Sequence, residues 1–197
     1  MPSETDLLND ALGQIGEDLI TAIDDGSRNA NACQDFYPEL RDSALRSHTW
    51  NFAMTRVELA LDATAPLYGY AYSYSLPTDC LKIVEYNGST TGFGRRYKKE
   101  GAHILTNDTQ VFIQYITRIT NPDLWDAMFY QYLATHLASK LCSAIPKDTK
   151  KADALLKTAM EILLPTAMSV DSQEEPVQPI RSRALIWGRN PIGRLSR

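Results

Sequence analysis

Three histidines, His48, His103 and His136, are the side chains best suited to proton transfer near neutral pH, and the chain has no others. They fall in three separate stretches, and none sits in an HExxH, GxSxG or Cys–His pattern. His136 lies by the apolar face of a helical pattern, where a core or interface histidine is a better reading than a ligand or base. Acids are plentiful, with adjacent pairs at Asp24-Asp25 and Glu174-Glu175. A glycosidase needs two carboxylates held at a set distance across a cleft, whereas neighbours in sequence more often cap helices or face water. Gly92-Phe93-Gly94 is a lone GxG without the strand–turn–helix setting of a dinucleotide site, and it reads as a loop tip. Cys33, Cys80 and Cys142 are odd in number and widely spaced, with no CxxC pair. That argues for buried thiols in a reducing compartment, not a disulfide framework or zinc cluster. These residues give no reason to expect a cofactor, a metal or a catalytic centre.

The basic residues carry more information. Arg95, Arg96, Lys98 and Lys99 flank Tyr97, a composition that could serve a nucleic-acid patch. Strand alternation would put Arg95, Tyr97 and Lys99 on one face and Arg96 and Lys98 on the other, which suits a solvated strand or a rim contact with a neighbouring subunit. The net charge is −4, yet residues 176–197 hold five arginines and no acid, so the rest of the chain is nine charges negative. An acidic body argues against a general nucleic-acid binder. In the last stretch Arg181, Arg183, Arg189, Arg194 and Arg197 interleave with Ile180, Leu185, Ile186, Trp187, Ile192 and Leu195. A solubilising tail is poor in large apolar groups, while Arg and Trp are the residues that most often carry interface energy. This pattern points to an arm that docks on a partner. The alternatives are an arm folded back on its own domain, or one that binds RNA or DNA.

Apolar periodicity supplies the elements that would position these residues. The chain has 197 residues, 44 % hydrophobic and 22 % charged, enough for one domain with an extension. Helical spacing covers residues 3–15, capped by Ser3 with Asp6 three residues on, and residues 27–48, with Pro38 inside. Strand patterns follow over residues 50–120: alternation in Trp50, Phe52 and Met54 and in Tyr70, Tyr72, Tyr74 and Leu76, then strand candidates at 80–86, 95–99, 102–105 and 110–120. Residues 87–94, rich in Gly, Ser and Thr, read as a loop, with Asn87, Gly88, Phe93, Arg95 and Arg96 as candidate contacts. Asn121-Pro122-Asp123 reads as a helix start for residues 121–145. A fourth helix spans 148–168, with Pro165 kinking or ending it, and periodicity is lost from Val170. The expectation is an α+β fold: a small helical bundle (1–169) with an inserted antiparallel β-rich meander, and an extended arm (170–197). The first residues do not read as a signal peptide, and no apolar run approaches the length of a membrane span.

Three runs resemble one family. They are Ala44-Leu45-Arg46-Ser47-His48-Thr49-Trp50-Asn51-Phe52-Ala53, then Tyr70-Ala71-Tyr72-Ser73-Tyr74-Ser75-Leu76-Pro77-Thr78-Asp79-Cys80-Leu81, and residues 110–120 followed by Asn121-Pro122-Asp123-Leu124-Trp125-Asp126. Their order is similar to that of phage tail tubular protein A, the head-to-tail adaptor of short-tailed phages, across most of residues 4–165. The resemblance implies a structural virion protein of the tail or neck, assembled in the host cytoplasm. It implies a ring, typically of twelve copies, between the portal protein and the tail nozzle (a tubular protein B-like protein), with DNA passing through without sequence-specific binding. It also implies that the arm reaches the portal and that loop 87–94 touches the nozzle or a neighbour. An acidic wall would let DNA pass without gripping it, and ten tyrosines suit subunit contacts. Two other readings remain: a tail-associated glycan-cleaving enzyme, and a nucleic-acid-binding module using the basic arm.

Overall fold

The computed structural model describes residues 2–90 and 96–174. Helix α1, Glu4–Ile15, starts at the expected capping box: the Asp6 amide donates to Ser3 Oγ at 3.1 Å and the Ser3 amide to Asp6 Oδ2 at 2.7 Å. Leu7, Leu8, Ala11, Leu12 and Ile15 point inward, and Gly16 ends the helix at φ 82°, a left-handed conformation that suits glycine. Helix α2, Arg28–Ser47, is capped by Ser27 and runs unbroken past Pro38. Its inner stripe is Ala30, Cys33, Tyr37, Ala44 and Leu45. Arg41 is buried as well, its guanidinium 5.5 Å from the Tyr37 ring centroid.

The strands are β1 Met54–Glu58, β2 Tyr72–Ser75, β3 Cys80–Tyr86, β4 Ser89–Thr90, β5 Tyr97–Glu100, β6 His103–Thr106 and β7 Phe112–Thr117. All pairings are antiparallel, but they form two sheets, β1-β7-β3-β4 and β2-β6-β5, instead of a chain of nearest neighbours. The last strand, β7, lies between β1 and β3, so the larger sheet closes only when residues 54 and 116 meet. Trp50 and Phe52, expected to alternate in a strand, instead flank and enter a 3-10 turn, Asn51–Ala53. There they pack against Phe129 at steep ring angles, with ring centroids 4.9 and 5.1 Å away, so packing outweighs the period-2 pattern.

Helix α3, Ala127–Ala144, begins later than expected. Asn121 caps only a 3-10 turn, Pro122–Leu124, while the helix is capped by Asp126, which accepts from the Met128 and Phe129 amides. Helix α4, Thr149–Thr158, continues through a π turn, Ala159–Leu163, into α5, Leu164–Gln173. The wide turn takes up the missing donor and the ring of Pro165, so the helix does not end there. It reaches Gln173, past the expected boundary at 169, and leaves Ile162 60 % exposed.

Two cores result. The larger joins α1, α2, α3 and the α4–α5 rod, with Trp50, Phe129, Leu133 and Leu137 at its centre. The smaller lies between the two sheets and contains Tyr74, Tyr86, Tyr97 and Tyr115 with Leu59, Ile104, Val111 and Ile113. Strand β7 serves both, because alternate residues face opposite ways. Ile116 enters the helical core, while Ile113 and Tyr115 enter the tyrosine core.

Candidate interaction surfaces

The seam between the layers is held by polar bridges. Asp42 on α2 accepts from Arg118 Nε at 2.7 Å, just after β7. Arg46 donates to the Leu81 carbonyl on β3. Asp79 accepts from Thr117 Oγ1 at 2.5 Å and Tyr115 Oη at 3.3 Å, while its carbonyl accepts from the Arg118 amide. The far end of α5 is tied to the same seam. Asp171, buried, accepts the Asn51 amide at 2.8 Å and faces His48 Nε2 at 3.3 Å, and its carbonyl accepts from Asn51 Nδ2. His48, at the end of α2, thus contacts α5 and also meets Trp50 edge-on at 4.8 Å.

Beyond the helices, one half of the larger sheet's outer face is uncovered. The register sets three cross-strand rows on that face: Met54–Ile116, Arg56–Gln114 and Glu58–Phe112. The helices cover the first row. The other two, with Glu85, Gly88, Val57 and Ile113, line a groove of about 310 Å³, and Phe112 is 47 % exposed. The groove's end is a two-residue hairpin. Tyr86 pairs with Ser89 across Asn87 (φ 46°) and Gly88 (φ 74°), the Asn-Gly pairing that favours a tight right-twisted hairpin. Asn87 does not face a partner freely, as the loop reading assumed. Its Oδ1 accepts the Phe112 amide at 2.7 Å and its Nδ2 donates to the Gln110 carbonyl at 3.2 Å. Gly88 is exposed at the tip; Phe93 and Arg95 lie outside the described residues.

An acid–base cluster sits on the smaller sheet. Asp62 Oδ2 accepts from Ser73 Oγ at 2.5 Å and lies 2.9 Å from His103 Nδ1, and Oδ1 accepts from Ser75 Oγ at 2.6 Å. Burial pushes the Asp62 carboxyl up, but the two serine hydroxyls and His103 outweigh it and hold the carboxyl below its ordinary value of 3.8. The serines therefore donate to the carboxylate instead of the imidazole, the reverse of an activated nucleophile. Asp62, His103 and Glu100 border a groove of about 520 Å³ beside Ala65, Pro66 and Leu67. A glycosidase acid must hold its proton. Asp62 is kept ionised, and Glu100 pairs with Lys98 at 2.6 Å. Next to this groove Leu67 and Tyr68 are 98 % and 87 % exposed, an apolar pair that spacing alone did not mark.

The basic stretch is less suited to nucleic acid than its composition suggests. Tyr97 is buried and stacks on Tyr86 at 4.6 Å, so its face is not open to a base. Arg96 is exposed, and its carbonyl accepts from Thr106 Oγ1 at 3.1 Å. His136 lines a groove of about 380 Å³ with Phe36, Glu39, Leu40, Ser43 and Lys140. Burial, then the nearby Lys140 charge, lowers its pKa from 6.5. Asp25, of the first acid pair, accepts the Ser27 and Thr21 amides and so shapes a turn. Cys33 and Cys142 are buried thiols, and burial raises Cys33 to about 11. Among the described residues no group of His, Cys, Asp and Glu is arranged to hold a metal, and no helix is long and apolar enough to cross a membrane. The arm residues Arg181, Arg183, Leu185, Ile186, Trp187, Arg189, Ile192, Arg194, Leu195 and Arg197 lie outside the described residues. No family model matches the chain, and no curated protein matches it.

Proposed function

We propose that this chain is a structural head-to-tail adaptor of the phage tail tubular protein A type. In this reading it forms a ring of twelve copies between portal protein and tail nozzle in the virion. Its acidic body borders the passing DNA, and its basic arm binds the portal. The observation that carries the reading is where the three resembling runs come together. Trp50 of the first packs 4.9 Å from Phe129, against which Trp125 of the third also packs at 5.4 Å. Asp79 of the second bonds Thr117 and Tyr115 of the third. The runs thus build one joint between a helical layer and a β layer. A heterologous ring needs two different faces on each copy, and the two layers supply them.

The test is the particle mass of the purified chain, alone and mixed with a short-tailed-phage portal. A ring-sized particle, or one that appears on adding portal, supports the reading. Removal of residues 176–197 should leave a folded domain with portal binding lost. Undiminished binding by that truncation would sink the arm's assigned role, and a strict monomer under both conditions would sink the adaptor.

A further inference from the structure

Strand β1 is the outer strand of the larger sheet, and its sheet partner among the described residues is β7. One hydrogen bond settles which of its backbone groups face outward. The Leu59 amide donates to the Val111 carbonyl at 2.9 Å, and the register continues as Glu58 with Phe112 and Val57 with Ile113. In an antiparallel pair, alternate residues turn both backbone groups toward the partner strand. Leu59, Val57 and Thr55 therefore bond β7, while the amides and carbonyls of Glu58 and Arg56 point away from it. No backbone group among the described residues takes up those two amides. Thr55, Arg56 and Glu58 are exposed, so the edge is open. An open edge is a template for another strand.

The side chains on this edge select which strand fits. Arg56 and Glu58 share the outer face, two residues apart and opposite in sign. Arg56 makes no ion pair among the described residues. Glu58 Oε1 accepts from Gln110 Nε2 at 2.8 Å, which leaves Oε2 to accept from a second donor. A second β1, laid antiparallel along the edge, can bring outward backbone groups together around the strand's middle in three ways. Two of them put like charges opposite, Arg56 on Arg56 or Glu58 on Glu58. The third is centred on Val57 and puts opposite charges together twice.

We propose that two copies of this chain pair through β1, antiparallel about a two-fold axis at Val57, with Arg56 of each copy opposite Glu58 of the other. Each of these residue pairs exchanges two backbone hydrogen bonds and adds a charge-assisted contact between guanidinium and carboxylate. Two four-stranded sheets become one continuous sheet. The axis is normal to that sheet. The helical layers, which cover the Met54 end of each β1, therefore go to opposite ends of the seam. The pair uses one surface twice and cannot extend into a ring. It is a closed resting form that covers the edge against indiscriminate strand addition. The argument rests on the sheet alone, so it stands whether or not the adaptor reading holds.

Sedimentation equilibrium of the full chain, without portal, tests this. Wild type should be a reversible dimer. Arg56→Glu sets acid against acid at both contacts, and Glu58→Arg sets base against base. Either change should raise the dissociation constant about tenfold. An equimolar mixture of the two variants should recover the wild-type value, and so should Arg56→Glu/Glu58→Arg in one chain, because each restores opposite charges across the seam. Arg56 is exposed and makes no ion pair in its own chain, so its variant is informative even if loss of the Glu58–Gln110 bond disturbs folding. Val57→Cys checks the register. Cysteines facing each other on the axis lie about 4.5 Å apart at Cα, within disulfide range. Mild oxidation should therefore give a covalent dimer that Thr55→Cys does not. A strict monomer at every concentration would overturn the proposal, and slow exchange of the Arg56 and Glu58 amides in that monomer would mean that the chain covers its own edge. A dimer that neither Arg56→Glu nor the mixture affects would overturn it as well, placing the contact on another surface.

Discussion

The two cores of this molecule are built by different chemistry. The helical core is apolar: its centre is Trp50, Phe129, Leu133 and Leu137, and Trp125 Nε1 and Tyr37 Oη are buried there without a hydrogen-bond partner among the described residues. The core between the sheets is tyrosine-rich, and its hydroxyls are tied down. Tyr86 Oη shares a hydrogen bond with Thr106 Oγ1 at 2.8 Å and donates to Asp108 Oδ2 at 2.8 Å, while Tyr74 Oη donates to the Asp108 carbonyl at 3.1 Å. Burial, opposed by Thr106 and reinforced by Asp108, pushes Tyr86 up to about 12, so it remains a donor. The helical layer therefore draws its stability from area and packing, the β layer from a network whose members depend on one another. A change in the first should be felt throughout the molecule. A change in the second should stay local.

The largest test of that contrast is Phe129→Ala. Four aromatic rings surround Phe129 within 6.3 Å, so the cavity cannot close by a small adjustment. The loss should be about 3–5 kcal/mol, read as a lower denaturant midpoint. Because Ile116 of β7 enters the same core, protection should fall in both layers. Confinement of the effect to α3 would contradict the idea that the β layer rests on the helical one.

Tyr86→Phe is the counterpart. It keeps the ring stacked on Tyr97 and removes only the hydroxyl, leaving Asp108 and Thr106 with fewer partners. The expected loss is about 1 kcal/mol. It should show as faster exchange in β3, β5 and β6 with α3 unchanged. An equal loss in α3 would mean that the two cores unfold as one unit.

How far the sequence foretold this division depends on which interactions decide each element. Local ones were legible. Ser3, Ser27 and Asp148 cap the helices that their spacing suggested, and β3 forms over the stretch expected as a strand. Where two local signals compete, packing decides. Asn121 and Asp126 are both good caps, and the helix begins at Asp126, directly ahead of the residues that bury Phe129 and Leu133. Pro165 is a stop signal that a π turn absorbs, because the continuing rod buries Ala167 and ties Asp171 to Asn51. The Asn87-Gly88 hairpin carried a clear signal that the Gly, Ser and Thr around it obscured. Strand pairing was out of reach, since β7, at the end of the insertion, joins β1 from its start and β3 from its middle. Of the candidate surfaces, basic composition marked residues 95–99, yet the groove around Phe112 follows from register and from where the helices stop, which no local pattern encodes.

The smallest effect is in pH, and it separates the layers by where each responds. His136 in the helical layer has a folded pKa below its ordinary 6.5, through burial and then Lys140, with Glu39 lining the same groove. The unfolded chain then takes up a proton first as pH falls, so stability is full above about 6.5 and declines below it. Asp62 in the β layer is also lowered, but from 3.8. Its contribution is full above that value and is lost only as pH falls through the still lower folded one. Thermal unfolding of wild type should therefore weaken in two stages on acidification. His136→Gln should remove the first stage and leave the second. Asp62→Asn should lessen the second, flattening the acid limb of exchange in β2 and β6 while the mild-acid step persists in α3. If His136→Gln instead leaves the step below 6.5 intact, the imidazole is not what couples the helical layer to protons, and the contrast between an apolar core and a networked one must rest on the two substitutions alone.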